Sequence, residues 1–288
     1  MSGPTVRPPR YVAPVHALPF VLSLLAALVL TPPVLARLTE SAVVRENYRG
    51  TPLPVPLGLV IVPAGLLALV VLALLARLGD VDVYPDNFGL VLLFVPGVAL
   101  LGFIDDALSG AGRGWRGHGS DLLKGAFSTG ALKAACTLGL ALLVASSLPG
   151  SDGEFLLAAA VLVLATNVFN LLDLRPGRSV KAFVLLGLGL TLTTGNWEAL
   201  AAMGIFAGPV LVAGFYDLRE RAMLGDTGSN VIGALAGLWM VLTLDTNGQL
   251  VALVVLLGLN IFGEFRSISN VIEKVPGLRH LDSIGRPS

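Results

Sequence analysis

An all-α, polytopic membrane bundle of about nine helices, ten at most, follows from three features of this chain. Only 13% of its 288 residues are charged while 55% are hydrophobic, against about 25% charged in soluble domains. Mean hydropathy is +0.82. The apolar residues also gather into nine runs, most of them near the ~17–25 residues that a spanning helix needs.

The runs lie at about Val15 to Leu38, Val55 to Leu78, Phe88 to Ile104, Gly130 to Leu148 and Phe155 to Leu172, then Val180 to Thr194, Trp197 to Tyr216, Asn230 to Leu244 and Leu250 to Ile268. The first, broken by Pro32-Pro33, is too long for a signal peptide and no small-x-small cleavage site follows it. The sixth and eighth are short, which suits tilted or partly re-entrant segments. Residues 1–14 read as an N-terminal tail, 15–268 as one transmembrane domain and 269–288 as a C-terminal tail. The Pro-rich stretch Thr51 to Pro56 cannot be helical throughout and makes a stiff lead into the second span. Gly110 to Gly119 reads as a flexible, basic loop.

Charge sorts by side. With nine spans, sixteen of the nineteen Lys and Arg residues fall on one face, and only Arg7, Arg10 and Arg77 lie opposite. The opposite loops carry Asp80, Asp82, Asp86, Asp152, Glu154 and Asp245. The positive-inside bias makes the first face cytoplasmic and puts the N-terminus outside. The zero net charge gives no sign of a nucleic-acid partner. Cys136 is the only cysteine, so there is no internal disulfide, and without a Cys cluster or a sequential His pair a zinc site is not expected.

Each cytoplasmic loop between two spans holds a polar cluster, and no external loop does. The first has Arg49-Gly50-Thr51-Pro52, and the third span ends in Gly102-Phe103-Ile104-Asp105-Asp106. The fifth span ends in Asn167, Asn170 and Asp173, spaced to share one helix face. It continues Leu174-Arg175-Pro176-Gly177-Arg178-Ser179-Val180-Lys181, and the last cluster is Gly225-Asp226-Thr227-Gly228-Ser229-Asn230. Carboxylates at a helix C-terminus are disfavoured by ~0.3–1 kcal/mol each. Asp105, Asp106 and Asp173 are therefore either solvated helix ends or groups that hold a cation or a transferable proton. The Gly225 to Ser229 run reads as a helix N-cap, and its glycines would also let backbone approach a phosphate. Arg175, Arg178 and Lys181 are either positive flanks or phosphate ligands, arginine being the bidentate partner of choice. Lys133, just inside the fourth run, either snorkels to the interface or faces the clusters. Of three histidines only His280 is placed to reach this face. Acids for a metal, arginines for phosphates and a membrane setting together suggest phosphoryl transfer to or from a lipid.

In this order and on one face, Thr51-Pro52, Gly102 to Asp106, Asn167-x-x-Asn170-x-x-Asp173 and Gly225 to Ser229 resemble the polyprenyl-phosphate N-acetylhexosamine-1-phosphate transferase superfamily. The likeness covers about Arg49 to Gly237. It implies magnesium-dependent (or manganese-dependent) transfer of a sugar-1-phosphate from a UDP-sugar to polyprenyl phosphate, with release of UMP, at the cytoplasmic face of a bacterial or archaeal-type cell membrane. On matching positions it implies Asp226 as the principal metal ligand with Asn170 as a second. Asp105 and Asp106 would engage the lipid phosphate, with Asp105 as proton acceptor, and Asp173 would position substrate phosphates or metal-bound water. Lys133 would lie near the diphosphate, and Arg49, Thr51, Asn167, Arg175, Arg178, Gly228, Ser229 and His280 would complete substrate binding. A homodimer is what the family suggests.

The chain departs from that pattern where the family usually has Gly-Leu-Asp/Asn-Gly-Leu after the key aspartate. Here Leu174-Arg175-Pro176-Gly177-Arg178 stands instead, Ser109 replaces a third acid, and a histidine cluster is missing. Two other classes share the composition: a transporter or flippase for an anionic lipid or nucleotide, and an inactive paralogue that binds polyprenyl phosphate.

Overall fold

The computed structural model describes residues 15–41, 43–108 and 129–287. The tail 1–14, Ser109 and the Gly110 to Gly119 loop lie outside the described residues. Nine helices of 17 residues or more form the described chain: α1 Leu18–Glu40, α2 Ile61–Leu78, α3 Phe88–Leu108, α4 Thr129–Ala145, α5 Asp152–Leu172, α6 Arg178–Thr194, α7 Trp197–Leu218, α8 Gly225–Thr243 and α9 Thr246–Phe265. Two short helices follow, α10 Ile268–Lys274 and α11 Pro276–Ser283. Strands β1 Val44–Glu46 and β2 Pro52–Pro54 pair antiparallel as a small hairpin between α1 and α2, which is where the Pro-rich stretch falls.

Six of the helices, α1, α2, α3, α5, α7 and α9, are long and apolar enough to cross a membrane. Their lipid-side residues are apolar and exposed, among them Leu66, Val70 and Leu74 on α2 and Val251, Val254 and Leu257 on α9. In helices that keep every backbone bond internal, such surfaces suit lipid rather than water. The other three long helices depart from that profile for local reasons. Helix α6 has 17 residues, α4 has 17 among the described residues, and α8 opens on the polar run Asp226 to Asn230. Helix α8 has no need of lipid-facing surface, because every residue from Thr227 to Val241 is buried among α3, α5, α6 and α7.

Three boundaries differ from the sequence reading. Helix α1 runs through Pro32-Pro33 without a break. Helix α3 continues past Ile104 to Leu108, so Asp105 and Asp106 stand in its final turns. Helix α8 begins at Gly225 rather than Asn230, so the Gly-Asp-Thr-Gly-Ser run forms its first turn instead of a preceding loop. The reason for the last is that the cap comes from elsewhere in the chain, from Asp106, as described below.

The bundle closes on α8 at backbone distance. A Cβ at Gly102 of α3 would sit 2.5 Å from the Asp226 carbonyl oxygen, and one at Gly58 would sit 2.2 Å from the Gly228 nitrogen. Neither obstacle is a side chain that can swing away. Gly102→Ala is therefore expected to lower stability by about 1–3 kcal/mol. Gly139→Ala on α4, where a Cβ meets nothing within 4 Å, is expected to be neutral or to stabilise by up to about 1 kcal/mol through helix propensity. Reversible unfolding in mixed micelles measures both, and equal effects would contradict this packing.

Candidate functional site

The ends of α3, α4, α5, α6, α7 and α8 that meet at one end of the bundle carry the polar clusters, and the contacts between them define the site. Its centre is Lys133, in the first turns of α4. Its Nζ lies 2.8 Å from Asp105 Oδ2 on α3 and 2.7 Å from Asp226 Oδ2 on α8. The three side chains are 12–25% exposed. Of the two readings of this lysine, snorkelling is the one the structure does not use: the ammonium turns inward and separates two carboxylates that would otherwise repel.

Asp106 is spent differently. Its carboxylate accepts from the Asp226 and Thr227 backbone N–H groups at 3.1 and 2.8 Å and from the Thr227 hydroxyl at 2.8 Å. It thereby caps α8 in trans, satisfying amides that a helix leaves unpaired at its start. Arg45 holds Asp106 from the other side, donating to its carbonyl at 2.6 Å and reaching its carboxylate at 3.4 Å. Among the described residues, then, Asp105 rather than Asp106 faces the lysine.

The Asn-x-x-Asn-x-x-Asp face of α5 splits among three neighbours. Asn170 Oδ1 accepts from Ser229 Oγ on α8 at 3.1 Å. Asp173, directly after α5, accepts from Ser179 Oγ at 2.8 Å and lies within the field of Asp217, Asp226 and Asp106. Asn167 turns to α9 instead, donating to Asn260, whose own amide is bonded to the Leu164 and Leu256 carbonyls. Asn167 thus serves a polar helix–helix contact beside the site. Gly228 is likewise a packing position, through its approach to Gly58.

Arg175 and Arg178, expected to face phosphate, are engaged by the C-terminal segment. Arg178 is 5% exposed and makes a bidentate pair with Asp282 at 2.9 and 3.0 Å, with Ser269 Oγ at 2.9 Å on its remaining nitrogen. Arg286 forks the same carboxylate at 2.7 and 3.0 Å and donates to the Pro176 carbonyl at 2.8 Å. Lys181 donates to the Leu281 and Asp282 carbonyls, and Arg175 pairs with Glu273 while stacking on Tyr48. Arg49 packs on the same ring, reaches Glu220 at 3.4 Å and donates to the Pro287 carbonyl. The Thr51 N–H donates to Asn47 Oδ1 within the hairpin. His280 is exposed on α11 and makes no side-chain contact with the Lys133 cluster among the described residues. The 174–178 turn therefore anchors the segment that carries Asp282 and Arg286.

Two residues of the site escape a reading of the sequence. Asp217, buried at the end of α7, accepts from the Gly177 N–H at 2.6 Å and the Leu224 N–H at 3.4 Å, tying the 174–178 turn to the start of α8. Arg45, one of the sixteen basic residues sorted to one face, holds Asp106. No sequence signal separates either from an ordinary charged helix end or loop residue. At the opposite end of the bundle a cleft lined by Asn87, Glu154, Asp245 and Gln249 holds none of the site residues. Its Glu154 is occupied by the α5 capping box and by Thr246.

The donor chemistry suits a hard cation. Two carboxylates converge on one point already held by a positive charge, and magnesium is commonly bound by one or two carboxylates with substrate phosphates completing the shell. Among the described residues no group of three or more His, Cys, Asp or Glu side chains gathers as a metal cage. A cation held here would need further ligands from outside these side chains. No protein-family profile matches the chain, and no characterised protein matches it in sequence.

The Asp282 contacts also set a pH window. Burial works against this carboxylate, but hydrogen bonds from Arg178 and Arg286 outweigh it and hold its pKa down at about 2. A depressed acid contributes stability above its unfolded value of about 3.9 and loses it as pH falls toward the folded value. A spin label on the 267–287 segment should therefore stay immobile from neutral pH to about 4 and loosen below it. Asp282→Asn should loosen it already at pH 7, and an unchanged spectrum for that variant would contradict the anchoring described.

Proposed function

We propose that this chain is a phosphoglycosyl transferase, moving an N-acetylhexosamine-1-phosphate from a UDP-sugar to polyprenyl phosphate and releasing UMP. The observation that carries the reading is the Asp105–Lys133–Asp226 arrangement, in which residues from three separate helices, two of them picked out by separate sequence motifs, meet at one point. Nine spans, an external N-terminus and a site facing the cytoplasm of a bacterial or archaeal-type membrane belong to the same proposal, which rests on the sorting of basic residues. So does a homodimer.

In this reading an oxygen of the lipid phosphate attacks the sugar-bearing phosphorus of the UDP-sugar. The bond to the UMP oxygen breaks, and UMP leaves with that electron pair. Asp105 takes any proton still carried by the attacking phosphate. Lys133, released from one carboxylate, neutralises charge on the diphosphate. Asp226 and Asn170 would hold magnesium, and when bound it would offset the charge of the diphosphate and its leaving group. Asp106 and Thr227 hold the first turn of α8 in place, so that Asp226 meets its partners without reorganisation. Such chemistry asks the protein mainly for position and field.

The acids of the cluster stand in the first and last turns of helices rather than at mid-helix. That distribution supports a site at the membrane surface over a transport path, whose ionisable groups belong near the midplane. Purified protein incubated with undecaprenyl phosphate, magnesium and a panel of UDP-sugars should release UMP with at least one of them. Asp226→Ala should lower that rate by ~10²-fold or more, as the loss of several kcal/mol of charge stabilisation requires. No UMP with any sugar, beside an active control enzyme, would leave the chain as a binding paralogue and overturn the proposal.

A further inference from the structure

The C-terminal segment presents three chemically distinct sides. Helix α9 ends at Phe265, which is 80% exposed, and α10 starts three residues later, so the segment begins where a spanning helix leaves the bilayer. On α11 the Asp282 side faces the protein, held by Arg178 and Arg286. Roughly 100° per residue around that helix, Arg279, His280 and Ser283 point to a second side. Leu281, continued by Ile284, occupies the third at 51% and 50% exposed, and Leu278, one turn before Asp282, borders it at 44%. Val271 and Val275 extend this apolar side toward α10, at 39% and 42% exposed.

The charges are sorted in the same way. Both acids of α10 and α11 are paired with arginine, Glu273 with Arg175 at the surface and Asp282, largely shielded, with Arg178 and Arg286. Arg266, Lys274 and Arg279 are exposed and in no ion pair among the described residues. The accessible charge of the segment is therefore basic, beside an apolar stripe.

We propose that residues 267–287 lie in the interfacial zone of the bilayer at the site end, with Leu278, Leu281 and Ile284 at the acyl boundary and Arg279 and Lys274 among anionic headgroups. A helix with an apolar stripe and a basic polar side settles about 5–10 Å into that boundary. Continuity with α9 puts the stripe at the right height, and the Arg178–Asp282 anchor fixes its rotation. The segment thus joins the 174–178 turn to the membrane surface, independently of any reaction carried out at the site.

The test uses the full chain in a Cys136→Ser background, in nanodiscs of phosphatidylcholine with phosphatidylglycerol, with nitroxides at Leu281→Cys or Arg279→Cys. Power saturation should show the residue-281 label accessible to oxygen and shielded from a water-soluble nickel chelate, with the residue-279 label showing the reverse. Leu278→Trp fluorescence should be quenched by phospholipid brominated high on its acyl chains. A residue-281 label as open to nickel as the residue-279 label would place the stripe in water. Shielding from both reagents would place it under protein, as in contact with a second copy. Either result, or an unquenched tryptophan, overturns the proposal.

Discussion

Lys133 stands between two carboxylates that share little water, and the site end of the bundle is arranged around that ammonium. Its Nζ is within 2.8 Å of Asp105 and Asp226, which come from the end of α3 and the start of α8. Without it, two like charges would face each other at the membrane boundary, and the cost of leaving a buried ion unpaired is about 3–5 kcal/mol. The pair of acids is thus kept close by a charge that belongs to the protein but is held by a flexible stem. An arrangement of this kind keeps two acids together through a charge supplied by the protein itself.

Helix α8 makes the closeness possible. It is wrapped by four helices, and its first turn is capped by Asp106 across the bundle instead of by a residue of its own. Gly102 and Gly58 let backbone meet backbone there. The two adjacent aspartates of α3 consequently have separate duties, one capping and one facing the lysine. Across the site end, the 174–178 turn is braced twice, by Asp217 through Gly177 and by the C-terminal segment through Arg178.

Much of this was legible in the sequence, because polar groups are costly near a membrane and so stand out. Asp105 and Asn170 stand out for that reason, Asp226 and Lys133 read equally as an ordinary cap and a snorkelling side chain, and the helix runs follow from apolar length. What the sequence hid was partnership. Arg178 beside Asp173 reads as a phosphate ligand until Asp282, 104 residues away, is seen to fork it. Asn167 reads as part of one stripe until Asn260 draws it to α9. Gly225 to Ser229 reads as a cap ahead of its helix until the actual cap is seen to come from a residue 120 positions earlier. Each is a long-range pairing that local spacing cannot encode, and each ties a polar group into the site's frame.

Lys133 and Asp226 act as one unit on the folded chain. A double-mutant cycle with Lys133→Met, Asp226→Asn and the pair, read by reversible unfolding in mixed micelles, measures it directly. Residues in one buried charge network should couple by ~0.5–3 kcal/mol, the double variant being less damaged than the sum of the singles. Additive effects would contradict the account.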